Sequence, residues 1–139
     1  MTNIIPKHSE TFLRMASQTD RHEIPDKNDG YGKKTGQCGD TIEIFLSTEN
    51  DIIKRVSFEI NGCLNTLVCA NTVAQISEGK SIEYAWNITP DDVIKYLQSL
   101  PSGEHHCAEL AIGAFYLALS NHNELKKHTW KKNYFKRQK

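Results

Sequence analysis

The sequence predicts an α+β domain, with helices packed on one side of a small antiparallel sheet. Three observations lead there. Residues 40–61 alternate apolar and polar positions around a polar turn. From Thr66 the apolar period changes to that of a helix and stays so. Strand-like segments therefore come first and helical ones follow, an order that favours α+β over alternating βαβ architecture.

Taken in chain order, "SETFLRMAS" at 9–17 reads as a short helix capped by Ser9, with Phe12, Leu13 and Ala16 on one face. Residues 20–39 are polar and glycine-rich, ending in "GYGKKTGQCG", and read as a loop. In "DTIEIFLS", Ile42, Ile44 and Leu46 alternate as in a strand with one buried face. "TEND" supplies turn chemistry, and Val56, Phe58 and Ile60 alternate in the strand that returns. Leu67, Ala70, Val73, Ala74 and Ile76 fit a helix beginning near Thr66, which Gly79 stops. "SIEYAW" is a turn or two of helix. "TPDDVIKYLQSLP" has Thr89 to cap it, Pro90 at its first position, acids in its first turn and Pro101 beyond its end. The last helix places Cys107, Leu110, Ala111, Ala114, Leu117 and Ala118 on one face.

The 139 residues suit one domain, 1–139, with a core over about 9–122 and a basic tail at 123–139. The composition, 38% hydrophobic and 24% charged, is that of an ordinary globular chain. No apolar run reaches the length of a membrane span, and "MTNIIPKHSETF" is not a secretory leader, so a cytoplasmic protein is expected. The formal net charge is zero but unevenly spread. Seven bases and no acid follow Glu124, so the preceding body carries seven net negatives. The tail is a solvated end or a docking arm for an acidic partner. No basic patch with interleaved aromatics elsewhere points to nucleic acid.

The four cysteines are Cys38, Cys63, Cys69 and Cys107, and no two form a CxxC pair. In a reducing compartment, disulfides are not their default use. Cys38 and Cys63 are equidistant from a point between Asn50 and Asp51, inside the predicted turn. Folding the hairpin there makes them cross-strand neighbours, with Cβ atoms about 5 Å apart, unless the register slips. Asp40 projects from the same face as Cys38. Cys107 opens a helix whose dipole favours thiolate, and His106 adjoins it. Three thiolates with Asp40 or His106 would make a four-ligand site for zinc or an iron–sulfur cluster. Cys69, within an apolar stripe, reads as a small buried hydrophobe.

"CGD" opening the hairpin, "GC" closing it, a helix ending in "EGKSI", then "LP" and "HC" before the last helix, resemble the iron–sulfur cluster scaffold proteins of the IscU/NifU N-terminal type. The resemblance covers about residues 30–122. It implies a three-stranded antiparallel sheet with helices over one face and no enzymatic turnover. It matches Cys38, Cys63 and Cys107 to cluster ligands, Asp40 to an aspartate that ligates or keeps the cluster labile, and His106 to the histidine before the third cysteine. It further implies a transient [2Fe–2S] cluster, iron supply and zinc in the cluster-free form. A cysteine desulfurase would give sulfane sulfur, with Cys107 as acceptor, and apo-proteins would receive the cluster. A zinc-binding sulfur acceptor that builds no cluster is the alternative, and a structural zinc domain is a third. A cysteine hydrolase lacks an evident third orienting group.

This chain departs from that pattern at several points. Where the family reads L-P-P-V-K, it has Leu100, Pro101, Ser102, Gly103 and Glu104, an acid in place of a base, so a dedicated chaperone is not expected. "LNTLVCANT" replaces a small-residue run and brings Cys69, and the approach to the loop lacks the family's Asn-Pro. No ferredoxin-like middle domain or CxxC domain follows, so a divergent stand-alone scaffold is expected.

Overall fold

In the computed structural model the described residues are 9–137, with side chains described through Lys127. The leader reading therefore falls mostly outside them, as do Lys139 and the side chains of the tail's later bases. Three antiparallel strands, β1 (Gly30–Thr35), β2 (Thr41–Glu49) and β3 (Ile52–Asn61), form one meander in the order β1-β2-β3. Helix α1 (Glu10–Ser17) precedes them. Helices α2 (Leu64–Ser77), α3 (Ile82–Ala85), α4 (Pro90–Leu97) and α5 (His105–Arg137) follow, the last entered through a 3₁₀ turn at Ser102–Glu104. The α+β class and the three-stranded sheet are as expected.

Strand β1 corrects the reading of 20–39 as loop throughout. Its glycines signal close packing. A Cβ on Gly32 would lie 2.3 Å from the Ala114 carbonyl oxygen, and one on Gly30 2.6 Å from that of Ala118. Both are backbone atoms of α5, so that helix lies directly on the strand where only glycine leaves room.

The β2–β3 turn is built on Asn50 (φ 54°) and Asp51 (φ 61°), the left-handed pair of a two-residue hairpin turn. Pairing starts symmetrically about it, with Glu49 opposite Ile52 and Thr48 opposite Ile53. A bulge then leaves Lys54 unpaired, so that Ser47 faces Arg55 and, at the far end, Thr41 faces Asn61. That one-residue shift overturns the expected pairing of Cys38 with Cys63. Continued past Thr41, the register sets Asp40 beside Gly62.

Ile42, Ile44, Leu46, Val56 and Phe58 bury one face of the sheet against the helices. Helix α2 is buried almost all round, through Val68, Cys69, Ala70, Asn71, Thr72, Val73 and Ala74, as suits a helix held between sheet and helices. It starts at Leu64, two residues before the predicted start. In α1, Phe12 and Met15 face the core while Leu13 is exposed. In α5, Leu117 is likewise exposed, so both predicted faces are one residue too wide. Ser9 caps α1 and its hydroxyl donates to the Leu97 carbonyl, tying α1 to the end of α4. Thr89 and Asp92 form a full capping box on α4. The buried side chains make one contiguous cluster, from Phe12 to Leu119. The basic stretch after Glu124 continues α5 as helix to Arg137. Among the described residues, no helix is long and apolar enough to cross a membrane.

Candidate metal centre

Two helix starts and one strand turn meet at one end of the sheet. Cys63 is the N-cap residue of α2, and Cys107 is the third residue of α5. Cys63 is exposed and Cys107 is fully buried. Between them sits Thr66, also fully buried, its hydroxyl oxygen 3.5 Å from Cys63 Sγ and 3.6 Å from Cys107 Sγ.

The Thr66 hydroxyl donates to Asp40 Oδ2 at 2.6 Å, and the Cys63 N–H donates to the same oxygen at 3.2 Å. Asp40 comes this close because position 62 is glycine, where a Cβ would lie 2.6 Å from Oδ2. The Thr66 hydroxyl above all, then the N–H and thiol of Cys63 and the thiol of Cys38, hold the Asp40 carboxyl below the usual carboxylate range against a smaller desolvation penalty.

Cys38 is exposed in the β1–β2 turn, where the Gly36 N–H donates to the Asp40 carbonyl. A groove of about 620 Å³ runs between that turn and α5, lined by Gly36, Cys38, His106, Glu109 and Leu110. His106 Nδ1 donates to the Gly103 carbonyl at 3.1 Å, and Nε2 stands 3.6 Å from Cys107 Sγ. All five predicted residues thus lie around one end of the fold, though not as one ligand set. Cys69 is buried as expected, and desolvation raises its thiol pKa strongly.

At Cys107 burial opposes the helix dipole that favours thiolate. Burial dominates, pushing its thiol up to about 12, with the nearby Cys63 and Glu104 adding to the rise and the Thr66 hydroxyl opposing it. An incoming cation would have to displace that proton.

Two residues escaped the sequence reading. Ligand atoms of Cys63, Glu104 and Cys107 lie within 4.8 Å of one another. Glu104 stood out only as an acid where a base was expected. Its spacing of three from Cys107 was the available signal, since residues so spaced come together where a turn leads into a helix. Thr66, three residues past Cys63, was missed in the same way. Two sulfurs and a carboxylate oxygen suit a thiophilic divalent cation such as zinc, and the donor chemistry fits.

Fold and site together define a small α+β domain that presents thiols and carboxylates at an accessible rim. The chain belongs to the family of NifU-like N-terminal domains, whose model matches residues 17–129. It is 31% identical over 87 residues to a protein named iron–sulfur cluster assembly scaffold protein IscU of Aquifex aeolicus, an alignment covering 61% of this chain and 55% of that one. It is 36% identical over 87 residues to the iron–sulfur cluster assembly protein IscU of Plasmodium falciparum, covering 63% and 53%. The chain thus spans little more than half the length of these relatives. Among solved structures, the N-terminal part of a nitrogen-fixing NifU-like protein from Brucella abortus superposes with a TM-score of 0.68 at 14% identity, over 84% of this chain and 94% of that one. That likeness shows the fold.

Proposed function

We propose that this chain is a scaffold on which an iron–sulfur cluster is built as cargo and then handed on. The carrying observation is the meeting of Cys63 and Cys107, from the starts of two separate helices, with Thr66 between them and Asp40 and Cys38 alongside. The family and the names of the relatives support the same reading.

In this reading a cysteine desulfurase presents a persulfide. The Cys107 sulfur, once deprotonated, attacks the outer sulfur. The old S–S bond breaks, the desulfurase thiolate leaves, and Cys107 carries the new persulfide. Iron and an external reductant then convert bound sulfane sulfur to the sulfide of a [2Fe–2S] unit. Cys38, Cys63 and Cys107 hold that unit, and apo-proteins receive it. Cys38 and Cys63 are exposed, so a client's ligands can reach the cluster as these bonds exchange. The whole chain acts as one domain, without turnover of its own, in the cytoplasm.

The test is anaerobic incubation with ferrous iron, cysteine, a desulfurase and dithiothreitol as the reductant. Visible absorption of a [2Fe–2S] cluster, lost in Cys63→Ser and Cys107→Ser, is the expected result. No cluster on fully reduced, folded protein overturns the proposal. The compact Cys63–Glu104–Cys107 trio, sized for a single ion, favours one second reading, a zinc-bound acceptor of sulfane sulfur. It predicts persulfide on Cys107 and no cluster.

A further inference from the structure

We infer that Glu104 is the carboxylate ligand of a preformed single-ion site, completing a trio with Cys63 and Cys107 that takes zinc in preference to any site built on Asp40. The inference rests on the reading that Cys63 and Cys107 hold metal, and it deepens that reading by naming the oxygen donor.

Four observations carry it. First, Glu104 Oε2 lies 3.6 Å from Cys107 Sγ. A tetrahedral ion with Zn–S of about 2.3 Å and Zn–O of about 2.1 Å sets sulfur and oxygen about 3.6 Å apart. The pair already stands at the spacing of two ligands on one ion, and Cys63 joins it within 4.8 Å.

Second, the rival carboxylate is committed elsewhere. Asp40 Oδ2 accepts from the Thr66 hydroxyl and the Cys63 N–H. Turning Asp40 Oδ2 onto an ion would take from the fully buried Thr66 hydroxyl its 2.6 Å acceptor and leave it the longer contact with Cys107 Sγ. Among the described residues the Glu104 carboxylate accepts only from the Cys107 thiol, whose proton leaves when that sulfur binds a cation. It meets only Cys107 Sγ and His106 Nε2, each at 3.6 Å.

Third, His106 flanks the trio, outside its 4.8 Å grouping but 3.6 Å from two of its members. Its Nδ1–H donates to the Gly103 carbonyl, which in the neutral ring leaves the Nε2 lone pair facing Glu104 and Cys107. Metal-binding histidines are commonly oriented by such a backbone acceptor.

Fourth, Glu104 is held by its backbone. Its N–H donates to the Pro101 carbonyl at 2.8 Å in the turn that leads into α5. The carboxylate is thus delivered from the last residue of the 3₁₀ turn, three residues before Cys107. A lysine at this position could offer no anionic oxygen.

Zinc titrations against a chromophoric chelator, on reduced full-length chain, test this. Glu104→Gln and Glu104→Lys should each weaken zinc binding at least tenfold, Glu104→Asp less than either, and Asp40→Asn less than threefold. The cobalt(II) form gives an independent reading. Its ligand-field bands should shift in Glu104→Gln, while the thiolate-to-cobalt charge-transfer band persists. Glu104 is partly exposed, and a melting curve of the zinc-free variant matching the parent establishes that it folds. Zinc affinity of Glu104→Gln within twofold of the parent, or a larger loss in Asp40→Asn than in Glu104→Gln, overturns the inference. Failure of the scaffold reading looks different. A parent chain that binds zinc through Glu104 but assembles no cluster sinks the scaffold and leaves this site standing. Cluster assembly with zinc affinity indifferent to Glu104 does the reverse.

Discussion

Asp40, at the start of β2, and Thr66, in the first turn of α2, are joined by a 2.6 Å hydrogen bond beneath the two cysteines of the rim. The carboxylate also accepts the Cys63 N–H, so it fastens the hairpin's open end to the start of α2. The residue matched by resemblance to a cluster ligand therefore also fastens the start of a helix. This dual position explains why its carboxyl is held below the usual range, chiefly by the Thr66 hydroxyl.

Asp40→Ala should accordingly destabilise the metal-free protein by about 1 kcal/mol, the scale of a charge-assisted bond at a half-solvated site. The pH dependence has a definite sign. A carboxyl whose folded pKa is depressed stabilises the fold above its unfolded value, near 3.8. It loses that contribution as pH falls through the folded value. Asp40→Asn should therefore flatten the acid limb of a denaturation series below about pH 4 and change little at pH 7 beyond a constant offset. An acid limb identical to the parent's would count against the bond.

Gly32→Ala should be among the most damaging small substitutions in the sheet. The added methyl would sit 2.3 Å from the Ala114 oxygen and 2.4 Å from the Ala118 nitrogen, so α5 must move off β1. Overpacking of this kind costs about 2–3 kcal/mol. Gly103→Ala adds a methyl that meets nothing within 4 Å, and its melting temperature should match the parent's. Equal melting temperatures for the two variants would refute the close approach of helix and strand.

The same glycines mark the limit of what the sequence reveals. Closely spaced glycines read as loop because their commonest local meaning is conformational freedom. In β1 their meaning is tertiary: room for a helix that begins some seventy residues later. The hairpin was legible because alternation is local, and α4 because its cap, proline and acids lie within four residues. The bulge at Lys54 was not, since no residue type there announces it, and it decides which residue stands beside Gly62. At the site, symmetry about the turn pointed to Cys38 beside Cys63, which the bulge shifts out of register, whereas the meeting of Cys63 with Cys107 follows from two helix starts. The share of carboxylates between Asp40 and Glu104 could not be anticipated, because it depends on which one Thr66 engages. The protonation of Cys107 likewise depends on burial, which outweighs the dipole signal visible in the sequence.

Asn71 ties α1 to α2. It is fully buried, and its side-chain amide donates to the carbonyls of Met15 and Gln18 at 2.8 and 2.9 Å. These are orphan acceptors at the C-terminal end of α1. Asn71→Leu should leave both carbonyls unsatisfied and cost about 2–3 kcal/mol. The loss should appear first as local opening, with faster amide exchange in α1 than in β2. Uniform acceleration across the protein would instead mean that α1 and the sheet open as one unit.

The four thiols should react in an order set by exposure and burial. Cys38 and Cys63 are exposed, whereas Cys107 and Cys69 are buried. In metal-free protein at pH 8, an alkylating reagent should therefore modify Cys38 and Cys63 first. Cys107 should lag, because the thiolate is the reacting form and burial pushes its thiol up to about 12. Raising the pH should quicken Cys107 continuously through that range. Cys69, raised further still by desolvation, should react only on unfolding. Zinc should then protect Cys63 and Cys107 while leaving Cys38 open to the reagent, since Cys38 lies outside the compact trio. Peptide mapping of timed samples reads all four positions at once. Protection of Cys38 to the same degree as Cys63 would mean that zinc draws the β1–β2 turn into its ligand set and that the ion sits nearer Asp40 than Glu104.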